Sequence, residues 1–198
     1  LLTARADDQT KQEAHEAGAA AYLPKPFDES ELLAITRNLL SLKAREKELE
    51  LDLAQARRIQ ENLLPQALPV VPGLRLASFY RPMDKVGGDL YDFIKMVDGS
   101  LGFFVGDVSG HGIPAALLAS AVKMTLQAFG TRTYSPAELL KYMNESLYGR
   151  TADNFLSCSC GLLLPDRKQV IYAQGGHPPA ILIRDGNVHW HEALGTCL

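Results

Sequence analysis

Two stretches set a carboxylate inside glycine-rich backbone at a strand end: Val86-Gly87-Gly88-Asp89-Leu90-Tyr91-Asp92 and Val105-Gly106-Asp107-Val108-Ser109-Gly110-His111-Gly112. Backbone of this composition can come close to a bound group. Antiparallel pairing of the two strands brings Asp89 and Asp107 together in space. Two carboxylates held that close repel unless a cation lies between them or one of them is protonated. With oxygen donors and no Cys or His at zinc spacing, the favoured ion is a hard one, Mg²⁺ or Mn²⁺. Aspartates also cap turns, and local composition does not separate that role from ligation.

The elements that must position these residues follow from pattern. Leu74 to Tyr80 alternates like a strand; Tyr91 to Met96 and Leu101 to Val105 flank Asp98-Gly99-Ser100, a hairpin signal. Ile113 to Phe129 reads as an Ala/Leu-rich helix, and Ser135-Pro136-Ala137-Glu138 as the capped start of another. Asn154 to Leu164, Gln169 to Tyr172, Ala180 to Ile183 and Val188 to His191 read as strands, which together give an α+β sandwich.

Ahead of this region, Leu1 to Ala4 reads as a strand end, Asp7 to Ala17 as a helix stopped by Gly18, and Ala20 to Leu23 as a strand broken by Pro24-Lys25-Pro26. Asp28 or Ser30 then caps a helix, the order of a parallel α/β unit. From Leu39 a seven-residue repeat sets in, with Leu42, Glu46, Leu49, Leu53, Ala56, Gln60 and Leu63 at a/d-type positions. The helix runs on through Leu64, either as a modest coiled coil pairing two copies or as one amphipathic helix packed on its own domain. Pro65, Pro69 and Pro72-Gly73 end it. The chain opens on Leu1 in mid-pattern, so it reads as a piece of a larger protein.

Composition narrows the function classes. The 198 residues are 46% hydrophobic and 22% charged, with a formal net charge of −3, so no general field draws the chain to nucleic acid or anionic lipid. No apolar run reaches the ~18 residues of a membrane span, and no basic segment with an apolar stretch opens the chain. The three cysteines, Cys158, Cys160 and Cys197, leave one unpaired and lack C-x-x-C spacing, so they read as reduced thiols of a cytoplasmic protein. Ser109 lies in Asp107-Val108-Ser109-Gly110, not in the Gly-x-Ser-x-Gly of a hydrolase nucleophile. His189 and His191 share a strand face, with no third ligand evident.

Taken together, Pro82, Asp89-x-x-Asp92, Gly106-Asp107-Val108-Ser109-Gly110-His111-Gly112 and the helix after it resemble the metal-dependent PPM-type serine/threonine phosphatases, in the branch of stage II sporulation E and the stress-regulator phosphatases. Ala56-Arg57-Arg58-Ile59-Gln60-Glu61-Asn62-Leu63-Leu64-Pro65 resembles the helix leading into that domain, and Gly175-Gly176-His177-Pro178-Pro179 its later Ala-Gly-His-Pro-Pro motif. The resemblance covers about Gln55 to Leu198. It implies two Mn²⁺ or Mg²⁺ ions, bridged by Asp107, with Asp89 and the Val108 carbonyl as further ligands and a metal-activated water attacking phosphorus. Asp92 either orients a ligand or a water from behind or is a structural hydrogen-bonding group. His111 and His177 can each protonate a departing alkoxide or simply pack a loop. Members of that family carry a further metal-binding aspartate in a late Thr-Asp-Gly-type strand, and this chain reaches Leu198 before any such segment.

Residues 1–40 resemble the C-terminal part of a two-component receiver domain, with Thr3 as the switch threonine and Lys25, in Tyr22-Leu23-Pro24-Lys25-Pro26-Phe27, as the lysine that pairs with a phosphorylated aspartate. The fold expected is α/β: part of a receiver-type parallel α/β domain (1–40), a coiled-coil linker helix (41–64) and an incomplete PPM-type α/β-β/α sandwich (65–198). The function implied is a response-regulator phosphatase acting on phosphoserine or phosphothreonine of an anti-sigma-factor antagonist, downstream of a sensor histidine kinase and dimeric through its linker. The alternative is a phosphatase-fold adaptor that binds a sigma factor or another regulatory protein.

Overall fold

The computed structural model describes residues 2–3, 8–82, 84–130, 135–164, 166, 168–191 and 195–198; Leu1, Ala4 and Asp7, named above as element ends, lie outside them. The chain divides into two compact units, Leu1–Leu53 and Ala54–Leu198.

In the first unit β1 (Leu2–Thr3) and β2 (Leu23–Pro24) pair in parallel, Leu2 opposite Leu23 and Thr3 opposite Pro24, with α1 (Asp8–Glu16) between them in the chain. Parallel strands need such a crossover. Gly18, at φ +79°, turns the backbone so that its N–H reaches the His15 carbonyl and the Ala19 N–H the Ala14 carbonyl, both at 2.9 Å, which closes α1. The Lys25–Pro26 peptide is cis. The helix that follows, α2 (Glu29–Leu63), is one element of 35 residues. Its cap is Asp28 and not Ser30: Asp28 Oδ1 accepts the Ser30 backbone N–H at 2.9 Å. The seam residues Leu42 and Leu49 are 62% and 55% exposed.

The second unit is built on an antiparallel sheet in the order β3 (Asp89–Lys95), β4 (Leu101–Val108), β5 (Leu156–Leu164), β6 (Gln169–Gly175). The β3–β4 turn forms as its sequence dictates. Asp98 Oδ1 accepts the Ser100 N–H (3.0 Å) and hydroxyl (2.6 Å), and Gly99 takes φ +85°. Side chains alternate along β4: Gly102, Phe104, Gly106 and Val108 are buried, while Val105 and Asp107 are exposed on the other face. Onto the buried face pack α3 (Gly112–Phe129), through Ala115, Leu118, Ala119, Val122 and Leu126, and α4 (Pro136–Leu147), through Leu139, Met143 and Leu147. A complete capping box starts α4: the Ser135 hydroxyl accepts the Glu138 N–H at 3.2 Å, and the Glu138 carboxylate accepts the Ser135 N–H at 2.8 Å. The hairpin β7 (Ala180–Arg184) and β8 (Asn187–His191) forms a separate two-stranded sheet.

Two expectations need correcting. Leu74 to Tyr80 joins no ladder among the described residues. Alternation reports which side chains meet an apolar surface, and Leu76 and Tyr80 are half-buried, but a strand also requires a neighbouring edge for its backbone. Second, α3 is by length and composition apolar enough to cross a membrane, where the sequence was expected to hold no apolar run of that length. In this fold it lays one face on the sheet and buries a charged residue, Lys123, within that face.

Candidate functional site

Period-2 pairing decides what meets at the end of the β3–β4 ladder. Its last rung sets Asp89 opposite Asp107, and on the far side of β4 Asp107 faces Ser157. Backbone without side chains makes the corner tight. A Cβ on Gly88 would lie 2.5 Å from the Val108 carbonyl oxygen, and the Gly88 carbonyl accepts the Val108 N–H at 3.3 Å. Any other residue at 88 would therefore cover that oxygen, which glycine leaves open beside the two acids. Gly87 is clasped from α2, where the buried Gln60 donates to the Gly87 carbonyl (2.6 Å) and accepts the Gly87 N–H (3.1 Å). One amide side chain thus satisfies both polar groups of the residue two before Asp89, as a neighbouring strand would.

The electrostatics match two like charges in a partly dry corner. The Asp89 carboxyl is raised above the ordinary carboxylate range, first by burial and then by the charge of Asp107, with His177 opposing. Holding Asp89 ionised thus carries a cost that disappears as pH falls through its raised range. His177, half-buried, has its Nδ1 3.0 Å from the Ser157 hydroxyl. Burial lowers its pKa, and Asp107 and Asp89 partly restore it. A 2.7 Å bond from Gln174 Nε2 to the Pro178 carbonyl holds the turn that carries it. Asp89, Asp107 and His177 line one end of a groove of about 840 Å³ whose walls include Phe79, Tyr80, Phe103 and Val105.

Other candidates lie elsewhere. His111 is exposed at the start of α3 and makes no side-chain cap bond. The Ser109 hydroxyl accepts the Phe155 N–H at 2.9 Å, a loop-fastening role. Asp92 is three residues from Asp89, so it points to the opposite face of β3. There it pairs with Lys123 at 2.6 Å, both side chains being at most 10% exposed. Of the two roles open to Asp92, that buried pair supports the structural one. Cys158 and Cys160 are buried, with thiols pushed up to about 12 by desolvation, so they are inert core residues. Thr3 and Lys25 lie in the other unit, at the ends of the paired strands β1 and β2.

The donor chemistry fits a hard divalent cation. Two facing carboxylates and an open carbonyl are oxygen donors, and Mg²⁺-type sites take one or two carboxylates and leave the remaining positions to water. Among the described residues no cluster of three or more His, Cys, Asp or Glu side chains has the arrangement of a metal site. Gln60, Lys123 and Tyr80 were not singled out from sequence as site or supporting residues. Gln60 stood there as a polar break in the helical seam, the one signal that it serves something else.

Residues 97–198 match the family described as Stage II sporulation protein E (SpoIIE). Phosphoserine phosphatase RsbP of Bacillus subtilis (strain 168) is 30% identical over 150 residues, 73% of this chain and 35% of that protein. Phosphoserine phosphatase RsbU of the same organism is 27% identical over 161 residues, 80% of this chain and 48% of its own. The chain therefore spans about a third to a half of the length of these curated relatives. Among solved structures, the SiaA-PP2C domain of Pseudomonas aeruginosa superposes with a TM-score of 0.64 at 23% identity, over 78% of this chain and 64% of that one, a likeness of fold. The RsbU and RsbW domains of a Mycobacterium tuberculosis protein give 0.51 at 26% identity, over 58% of this chain and 32% of theirs.

Proposed function

The chain belongs to the stage II sporulation protein E (SpoIIE) family, and from that membership we propose that it hydrolyses phosphoserine or phosphothreonine on a partner protein, with Asp89, Asp107 and the Val108 carbonyl holding two divalent cations. The observation that carries this reading is the Asp89–Asp107 rung beside the Gly88 opening, where a charge repulsion is built in that only a cation or a proton relieves. Mn²⁺ or Mg²⁺, when bound, supplies acidified water and positive charge against the phosphoryl oxygens. Asp107 and Asp89 fix where that charge sits. In this reading Gln60 and Gly88 keep the corner open and in register, and His177, hydrogen-bonded to Ser157, delivers a proton to the departing alkoxide.

The partner in this reading is an anti-sigma-factor antagonist. The likeness to two phosphoserine phosphatases and to a structure with an RsbW domain supports it. The protein acts in the cytoplasm. Its test is phosphate release from a phosphoserine-bearing antagonist protein by the full chain, with Mn²⁺ and after chelation. Release that needs Mn²⁺ is expected; binding of the antagonist without any release would leave an adaptor instead.

Residues 1–40 in this reading are receiver-derived, residues 41–64 a linker that pairs two copies through exposed Leu42 and Leu49, and residues 65–198 the phosphatase. The parallel β1–β2 rung supports the first assignment, since it sets Thr3 beside Pro24 and so brings exposed Lys25 to the same strand end. In the natural full-length protein Lys25→Ala is expected to keep the unstimulated rate and to lose any change caused by a sensor histidine kinase and ATP. An unchanged response to phosphorylation would remove the receiver from the reading.

A further inference from the structure

Val108, the last residue of β4, shares one peptide plane with Ser109. The plane is rigid, so the Val108 carbonyl and the Ser109 N–H point away from it in opposite directions. The carbonyl faces Gly88, where an added Cβ would meet its oxygen at 2.5 Å. The N–H points toward the start of β5 and donates to the Phe155 carbonyl at 2.9 Å. In a regular antiparallel rung the Phe155 N–H would return a bond to the Ser109 carbonyl. Here it donates to the Ser109 hydroxyl, also at 2.9 Å, and Gly110, at φ +89°, carries the backbone out of the ladder. The Ser109 side chain thus completes a rung that its own backbone has left. Phe155 is itself anchored, because Leu156 after it exchanges both backbone bonds with Leu198 at 2.9 Å.

We propose that Ser109 is a positioning residue for the metal centre: the rung it closes with Phe155 fixes the tilt of the 108–109 peptide and so aims the Val108 carbonyl into the gap that Gly88 leaves beside Asp89 and Asp107. The inference rests on the metal site proposed above, in which that carbonyl is a ligand. A carboxylate can swing about its side-chain torsions to meet an ion, whereas a carbonyl moves only with its peptide plane. Hard ions such as Mg²⁺ demand near-ideal geometry, so a plane free to rock would forfeit its donor. Without the hydroxyl, the plane keeps one bond to Phe155, and the Phe155 N–H has lost the acceptor that closes the pair. Groups that stand behind a ligand in this way orient it and raise its affinity for the ion.

Ser109→Ala removes the hydroxyl, and Ser109→Thr keeps it. Two measurements on the full chain are needed, at a temperature where every variant is folded: Mn²⁺ affinity by titration calorimetry, and metal-free exchange of the backbone amide at position 109 by NMR. In Ser109→Ala the expected result is Mn²⁺ binding weakened about tenfold, the low end of the range for groups behind a ligand, together with faster exchange of that amide. Ser109→Thr is expected to restore both. Faster exchange with unchanged Mn²⁺ affinity is what a loop fastener alone gives, and it overturns the inference. Weakened binding with unchanged exchange, or without rescue by threonine, overturns it as well. These results leave the metal site standing, since the wild type binds Mn²⁺ in each. A wild type that takes up no Mn²⁺ removes the site itself, and this inference with it.

Discussion

Asp107→Asn is expected to lower Mn²⁺-dependent phosphate release by at least about a hundredfold, while the metal-free protein stays folded and is no less stable than the wild type. The rate argument is that even groups one step removed from a bound ion cost 10–100-fold, and Asp107 occupies the rung where the site's two charges meet. The stability argument runs in the opposite direction. Asp107 raises the pKa of Asp89, so at neutral pH ionised Asp89 is paid for by the fold, and neutralising Asp107 reduces that cost. The stability difference shrinks as pH falls through the raised Asp89 range, where protonation removes the repulsion in the wild type too. Denaturant unfolding at two pH values and a phosphate-release assay check both halves. A variant that hydrolyses as fast as the wild type would remove Asp107 from the chemistry. A metal-free variant clearly less stable at neutral pH would show that Asp107 has a structural partner instead of a repulsive one.

What could be read without coordinates was the part that local chemistry dictates. Asp98-Gly99-Ser100 closes its hairpin with the side-chain bonds that Asp and Ser make in turns, and Ser135 and Glu138 form the capping box that their spacing requires. Once that hairpin is placed, simple counting puts Asp89 opposite Asp107. Features that depend on tertiary neighbours were not legible. Leu74 to Tyr80 has a strand's alternation, but alternation cannot reveal whether an edge is available to pair with. Gln60 breaks a leucine seam in sequence; only the fold shows it replacing a strand's hydrogen bonds at Gly87. The place of Asp92 was recoverable, because residues three apart on a strand face opposite ways, yet the Asp89-x-x-Asp92 motif invites treating both acids as one group.

That parity leads to the second large effect, on stability. Lys123→Met is expected to destabilise the protein by about 3–5 kcal/mol, the usual cost of stranding one member of a buried ion pair. Asp92 would remain in the interface between β3 and α3 with the Phe93 N–H, at 2.9 Å, as its remaining donor and no cation. Lys123 sits among Ala119, Val122 and Leu126 in the buried face of α3, so water does not readily replace it. Adding Asp92→Leu to Lys123→Met is expected to recover most of the loss, since an apolar pair of similar volume suits the same interface. Urea unfolding of the two variants measures both effects. A loss under about 0.5 kcal/mol in Lys123→Met would mean that the pair is effectively solvated. The double variant also separates structure from chemistry at Asp92: with stability restored, Mn²⁺-dependent hydrolysis should persist, because Asp92 faces the helices and not the Asp89–Asp107 rung. Hydrolysis lost from a stable double variant would mean that the buried pair acts through β3 on the acids at its end.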